Sequence, residues 1–445
     1  MHRRTLLVAA STLAAAPLVR PARAQAAKTK IVWWHAMTAA LGEQVARIAD
    51  TFNQSQNTVE VQQIYKGGYP DLLNATIAAS RAGQAPHLAQ IFEVGTGTML
   101  AAGKAVKQVW ELSKETGVAI DPKNYIPSVR GYYSLADGRM ASMPFNSSTA
   151  VMWYSKDAFR KAGLDPDKPP VTWEGVVKAA QAIKAKNAAE IPSTSAWLSW
   201  IQLEQYSALH NIAFASDSDG FDGLGAKLEI NSKPHVKHMA QLIEMSKDGT
   251  FKYAGRFNAA SPLLVSGQAG IHFDSSGMRG DLVKSAKFDW GEAYLPYDPE
   301  LIKTPLNSII GGASLWTMTA PGRTPAEYKA VATFLNFIGQ PDNDAYWHEH
   351  TGYVPVTLAG FELAKQQGFY TKNPGADLPV LQLTRGKVTN NSRGLRLGRL
   401  PEIRNIIYEE MEKAFQGNQT AQQAMDTAVE RGNKVLREFQ KAVKE

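Results

Sequence analysis

The sequence predicts an α/β protein of two lobes with a ligand cleft between them. Three observations carry that expectation. Strand and helix signals alternate from Lys30 to Val94, the same rhythm returns between Ala150 and Met318, and no linker rich in Gly, Ser or Pro separates the two stretches. Such alternation builds a parallel sheet covered by helices. In open sheets of this kind, ligands settle beyond the carboxyl ends of the strands, so the space between the lobes is the expected site.

Each element has its own signal. Ile31-Val32-Trp33-Trp34 opens the first strand. Leu41, Val45, Ile48 and Phe52 recur at helical spacing. Val59 and Val61 alternate as in a strand, Pro70–Arg81 reads as a helix ended by Gly83, and Leu88–Val94 returns to strand. Later, Ala150–Tyr154 is strand-like, and Thr172 is a good N-cap for a helix through Ile183. Ala269–Phe273 is a strand before Asp274-Ser275-Ser276-Gly277, and Ile309–Met318 is an apolar run broken by glycine. Two amphipathic helices close the chain, one with Ile403, Ile407 and Met411 on a face, the other with Met425, Val429, Leu436 and Val443.

Composition narrows the function classes. The 445 residues are 44% hydrophobic and 20% charged, ordinary for a globular protein. There is no cysteine, which excludes disulfides, thiolate metal sites, a cysteine nucleophile and a lipidated N-terminal cysteine. The formal charge is +7, but Arg3, Arg4, Arg20 and Arg23 belong to a leader-like segment. Without those four, 44 basic residues face 41 acidic ones, a balance of +3 that gives no nucleic-acid or membrane signature. In that segment Met1–Arg4 is basic, Leu6–Val19 is apolar and Ala22-Arg23-Ala24 has the small-x-small form of a cleavage site. Residues 1–26 thus read as an export signal cut near Ala24, since the apolar run is shorter than the ~20 residues a bilayer span needs. Arg3-Arg4 leaves the general and twin-arginine routes both open.

Enzyme motifs are weak. His348-Glu349-His350 puts its histidines at i and i+2, which point apart on a helix, so it reads as a helix surface rather than a metal site. Gly95-Thr96-Gly97 follows a strand, but Leu100 stands where a dinucleotide fingerprint has its third glycine. There is no G-x-S-x-G elbow and no P-loop. A spaced acid pair, as in a secreted glycosidase or phosphodiesterase, stays open. The segments that stand out instead are loops of aromatic, hydroxyl and glycine residues at strand ends: Tyr65–Tyr69, Glu93, Asn146–Thr149, Trp173, Trp197, Trp200, Asp274–Gly277, Gly311–Ser314, Gly352–Pro355 and Gly394–Gly398. Hydroxyls and backbone N–H groups suit a phosphate or polyol, and aromatic faces suit its C–H surface.

Together these segments resemble the solute-binding proteins of bacterial ABC importers. The most specific stretch is Trp153–Asp165 with Pro169-Pro170-Val171-Thr172-Trp173-Glu174. Within that family the chain looks most like the glycerol-3-phosphate-binding group of Ugp-type transporters, through Tyr65–Tyr69, Phe92–Thr96, Pro144–Thr149, Trp200–Glu204, Ile309–Trp316, Gly352–Pro355, Gly368–Ala376, Gly394–Gly398 and Asp426–Asn433.

The resemblance implies a two-lobe periplasmic binding protein fold, sugar-type and class II-like, with a hinge of several crossings. It implies lobe 1 at 27–144 plus 291–319 and lobe 2 at 145–290 plus 320–445. It implies a monomer in the periplasm that binds sn-glycerol-3-phosphate, or diesters such as glycerophosphocholine, and hands it to a membrane permease and ATPase complex, with no cofactor, metal or catalytic step. A neutral oligosaccharide such as a maltodextrin is the alternative ligand. The implied ligand-binding residues are Tyr69, Glu93, Ser148, Trp173, Ser275, Gly312, Tyr353 and Arg396. Arg396, Ser148, Ser275 and Tyr353 would hold phosphate, Gly312 would add a backbone donor, Glu93 would accept glycerol hydroxyls, Trp173 would pack on the glycerol carbons and Tyr69 would close a wall. On this reading Glu93 and Gly312 come from lobe 1, and Ser275, Tyr353 and Arg396 from lobe 2. Arg396→Ala should then weaken binding about 10–100-fold with the fold intact.

Overall fold

The computed structural model describes residues 27–444; the expected export signal lies outside them. Ten strands occur among these residues: β1 (Thr29–His35), β2 (Val59–Tyr65), β3 (Leu88–Phe92), β4 (Val106–Lys107), β5 (Met143–Ser148), β6 (Ala150–Ser155), β7 (Ile191–Ser195), β8 (Ala269–Ser275), β9 (Trp290–Ala293) and β10 (Gly311–Met318). They form two sheets. The first runs β2-β1-β3-β10-β4, with β5 also paired to β10; the second runs β7-β8-β6-β9. β1 is parallel to both β2 and β3, as the alternation predicts, and β10 returns antiparallel to β3.

The local reasons are those read from the sequence. In β1 the alternate residues Ile31, Trp33 and His35 are buried. The helix Ala39–Ser55 buries Val45, Ile48 and Phe52 on one stripe. Thr172 caps the helix Trp173–Ala185, its Oγ1 accepting from Gly175 N at 3.1 Å.

Two large clusters fill the lobes, and the second extends to Ile91, Phe92 and Trp316 of the first sheet. Ile31, Trp33, Phe52, Phe145, Phe334 and Trp347 pack in the first. In the second, Val176, Ile183, Phe273, Leu242, Ile403, Ile407 and Met425 pack together.

These cores correct the expected lobe boundaries. β5 (143–148) pairs in the first sheet, whereas β9 (290–293) pairs with β6 in the second. The helix Pro325–Ile338 is in the first lobe, since Phe334 and Leu335 complete the core over β1. The expectation assigned everything after 320 to lobe 2 because the rhythm of the sequence does not say which sheet a helix covers. Only the helices Leu400–Phe415 and Ala421–Lys444 at the end of that stretch pack in the second core.

The crossings lie side by side. Thr149, between β5 and β6, donates its hydroxyl toward Ser308 Oγ at 2.7 Å and Ile309 O at 2.9 Å, on the return crossing. Two buried glutamines clamp them. Gln205 pairs with both backbone groups of Ile309, and Gln382 donates to Ala150 O at 2.8 Å while accepting from Leu295 N. The third crossing joins through Asn307 Nδ2, which donates to Ser392 O at 2.6 Å. Buried backbone groups at an irregular junction need such partners.

Candidate functional site

A cleft of about 420 Å³ lies between the lobes. That is within the usual range for small-molecule sites. Its floor is the hinge side, with Glu93, Ser148, Gly311, Gly312 and Arg404; Tyr69, Tyr353, Trp197, Trp200, Asp274, Ser275 and Asp281 stand around it. A wider hollow of about 640 Å³ sits elsewhere on the second lobe. Its charged residues are Glu190, Lys252 and Glu412; Glu190 accepts from Gln268, and Glu412 is already satisfied by Arg256 and Tyr253.

Six of the eight expected residues meet in the cleft: Tyr69, Glu93, Ser148, Ser275, Gly312 and Tyr353. Glu93 follows β3 and Ser148 ends β5, both at strand ends. Ser148 makes no side-chain hydrogen bond among the described residues, which leaves its hydroxyl to the cleft. Ser275 ends β8 and its Oγ accepts from Gly277 N at 3.1 Å, so its own O–H is still available. Gly312 has φ +87°, and a Cβ there would collide with Asn146 O. Only glycine fits, and the bare backbone becomes cleft wall. The Tyr69 hydroxyl accepts from Asn146 Nδ2 at 2.8 Å, and its ring stacks on Phe92. Tyr353 comes from the first lobe, not the second as expected. It packs in that lobe's core with Trp347 and Val354, and Val354 N donates to Ser147 O on β5.

Two expected residues lie elsewhere. Trp173 is core: its ring packs on His238 at 4.5 Å and Phe273 at 5.1 Å, and it does not line the cavity. Arg396 points away from the cleft. Its Nη2 donates to the carbonyls of Gly131 at 3.1 Å, Ser134 at 2.6 Å and Tyr132, and its guanidinium lies over the Phe221 ring. Carbonyls left over at the end of the helix Pro127–Tyr132 are natural acceptors for a cation. Arg396 therefore clips the two lobes together, with its N–H on Asp219 O.

The arginine of the cleft is Arg404. Its Nε donates to Glu204 Oε1 at 2.7 Å, and its Nη2 donates to Glu204 Oε2 at 2.7 Å and to Glu93 Oε1 at 2.9 Å. Nη1 has no protein partner among the described residues, so two N–H groups are left for the cavity. All three side chains are nearly fully buried. Burial pushes the Glu93 carboxyl up to about 7; Arg404 opposes that shift and Glu204 adds to it. Burial also disfavours the Arg404 cation, but the two carboxylates more than offset it and hold the guanidinium above its ordinary value. A signal for Arg404 was present: it sits at the helical spacing of Leu400, Ile407 and Met411, a charge on an otherwise apolar stripe.

The second lobe supplies aromatic and acidic walls. Trp200 begins a π-helical turn, Trp200–Gln205, and its ring lies against Gly311, where any Cβ would clash. Trp197 packs on Phe257. Asp274 accepts from Ser261 Oγ and Ser275 N. Asp281, half-buried, has no side-chain hydrogen bond or ion pair among the described residues; burial and the nearby Asp274 push its carboxyl upward. At the rim, Lys284 of the second lobe donates to Glu43 of the first at 2.9 Å. Among the described residues no group of three or more His, Asp or Glu is placed to hold a metal, and His348 is engaged with Tyr353 O and the Tyr370 hydroxyl.

Comparison with known proteins agrees with this architecture. The model of a bacterial extracellular solute-binding protein family matches residues 47–376. The sn-glycerol-3-phosphate-binding periplasmic protein UgpB of Salmonella typhimurium (strain LT2) is 45% identical over 419 residues, 94% of this chain and 95% of the relative. UgpB of Escherichia coli (strain K12) matches with the same identity and coverage. Among solved structures, UgpB from Mycobacterium tuberculosis in complex with glycerophosphocholine superposes with a TM-score of 0.77 at 20% identity, covering 93% of this chain and 99% of that one. Maltose-bound MalE3 of T. maritima gives 0.72 at 16% identity, covering 92% and 99%. With two lobes, clamped crossings and a polar cleft between them, the chain belongs to the bacterial extracellular solute-binding proteins of ABC importers.

Proposed function

We propose that this protein captures a glycerol phosphate outside the cytoplasm and presents it to an ABC importer. The observation that carries this reading is a division of labour in the cleft. One end is ionic yet self-neutralised: Glu93 and Arg404 offer an acceptor and two N–H donors side by side. A vicinal diol, which both donates and accepts, matches that pair. Arg404 already faces two carboxylates, so it is a poor lone anchor for an anion. Beside the acids Asp71, Asp274 and Asp281, the cleft offers neutral groups: the hydroxyls of Ser148, Ser275, Tyr69 and Tyr353 and the exposed backbone at Gly312. Neutral donors in a desolvated cleft are suited to a phosphate. The 45% identical relatives named for sn-glycerol-3-phosphate binding support the same ligand class.

A diester ligand such as glycerophosphocholine is favoured by a separate observation. Unpaired Asp281, with Asp274 nearby and Trp197 and Phe257 on the wall, suits a quaternary ammonium better than a bare phosphate. Ligand touching both lobes would draw them together by hinge bending, and the joined form is what a permease and its ATPase can distinguish. The protein works in the periplasm on this reading, and no catalytic step belongs to it. Calorimetric titration with sn-glycerol-3-phosphate, glycerophosphocholine and maltose tests it. Tight binding of either glycerol phosphate is expected; binding of maltose alone would overturn it in favour of a neutral oligosaccharide.

A further inference from the structure

We propose that Glu204 is a positioning residue for ligand capture: from outside the cleft it orients the Arg404 guanidinium with Nη1 toward the cavity and shares that cation with Glu93, leaving Glu93 free for ligand hydroxyls. The inference rests on the diol reading of Glu93 and Arg404 given above.

Glu204 does not line the cavity, yet it takes the whole Nε/Nη2 edge of Arg404 in a two-bond fork, both at 2.7 Å. A guanidinium is planar and rigid, so fixing one edge fixes the direction of the others. Without Glu204, Arg404 would be free to turn its fork onto Glu93 and withdraw both groups from the ligand. Glu204 is itself held, accepting from Ser199 Oγ at 3.2 Å. The backbone that carries it is unusual. The π-helical turn Trp200–Gln205 presents Trp200 to the cleft, Glu204 to Arg404 and Gln205 to Ile309 on the crossing. Single π turns are frequent at functional sites.

The charge balance around Glu93 gives this role a signature. Arg404 comes from the helix Leu400–Phe415, Glu204 from the π turn, Tyr132 and Tyr133 from the end of the helix Pro127–Tyr132, Tyr69 from the helix Tyr69–Arg81 and Tyr353 from the loop beyond Thr351. Burial keeps those tyrosines neutral, so the balance lies among three ions. Glu204 is the one that pushes Glu93 toward its proton; Arg404 pulls the other way.

The experiment is calorimetry with glycerophosphocholine on wild type, Glu204→Gln and Glu204→Asp, across roughly two pH units either side of neutrality; the diester itself does not titrate there. In the wild type, affinity should rise as Glu93 ionises through about pH 7. Glutamine has one acceptor and turns an NH2 toward N–H donors, so E204Q should lose about tenfold or more in affinity and move the midpoint of the pH dependence down. E204D keeps the charge but withdraws it by one methylene, so it should lose less affinity and keep the midpoint. A role in stability alone would not move that midpoint. Wild-type affinity with an unmoved midpoint in E204Q would overturn the inference. If E204Q does not fold, wild-type affinity in E204D overturns it. A wild type that binds neither glycerol phosphate overturns the proposed function and this inference with it; ligand binding with an unchanged E204Q overturns the inference alone.

Discussion

Arg396 and Arg404 belong to one short stretch of chain and face opposite ways. Arg396 reaches out to the carbonyls of Gly131, Tyr132 and Ser134, while Arg404 reaches in to Glu93 and Glu204. The two arginines therefore separate binding from clipping, and their variants should separate the same way. Arg396→Ala should leave affinity for a glycerol phosphate within about twofold and lower stability by about 1–3 kcal/mol, since it strips donors from three carbonyls. Arg404→Ala should abolish measurable binding and cost about 3–5 kcal/mol, because it strands two buried carboxylates. Calorimetry and urea unfolding on both variants check this; loss of binding in the Arg396 variant alone would restore the sequence expectation.

Gly312→Ala should damage the cleft more than its one methyl suggests. The residue would be held at φ +87°, which costs an L residue about 1–2 kcal/mol, and its Cβ would press into Asn146 O. Asn146 also supports Tyr69 through its Nδ2, so the displacement would reach the ligand wall. The expected result is a loss of affinity of about tenfold or more with a measurable drop in unfolding free energy.

Stability of the unliganded protein should be greatest at mildly acidic pH. Glu93 and Asp219 are raised to about 7 and Glu292 to about 8, all first through burial. An acid raised in the folded state contributes stability below its unfolded value and loses it as pH climbs through the folded one. His235 and His348 are lowered to about 4, again first by burial, and their contribution is present above about 6.5 and lost as pH falls toward 4. Urea melts across this span should show a maximum at or below about pH 5, a decline between about pH 5 and pH 8, and a plateau toward pH 9. A curve still rising at pH 9 would contradict the assignment.

Gln205→Leu should loosen the hinge rather than the ligand contacts. It leaves the buried N–H of Ile309 without a partner and its C=O with the Thr149 hydroxyl alone. The cost should be about 1–3 kcal/mol, read by urea unfolding. Stopped-flow tryptophan fluorescence should show altered closing kinetics, as Trp197 and Trp200 line the cleft.

Much of this was legible in the sequence. β1, β3, β6, β8 and β10 and the helix capped by Thr172 follow from alternation, periodicity and one hydroxyl. Ser148, Ser275 and Gly312 stood out in loop-like segments beside strand signals, and the resemblance named them as ligand-binding. Lobe membership was not legible, because Phe334 could cover either sheet until one of them was in place. Arg396 misled for a physical reason: an arginine in a glycine-rich loop is free to meet an anion, but backbone carbonyls compete for the same fork. Arg404 was not singled out, although its neighbours Leu400 and Ile407 mark that face as buried. Trp173 stood in a resembling motif, and a motif can be kept for the packing of its core as well as for ligand.

The clamped crossings set how the cleft can move. Three strands of chain bound edge to edge by Gln205 and Gln382 act as a pin rather than as three loose strings, so the lobes swing but do not slide. Travel in a swing grows with distance from the pin. Glu93 and Arg404 lie near it, with the Tyr132 hydroxyl within bonding distance of both Glu93 O and Leu395 O, whereas Lys284 and Glu43 meet at the outer edge. The inner end of the cleft is thus the keyhole of the device and the outer end its bolt. A solute is read at a station that hardly moves, and the sweep of the rim only records that the reading succeeded.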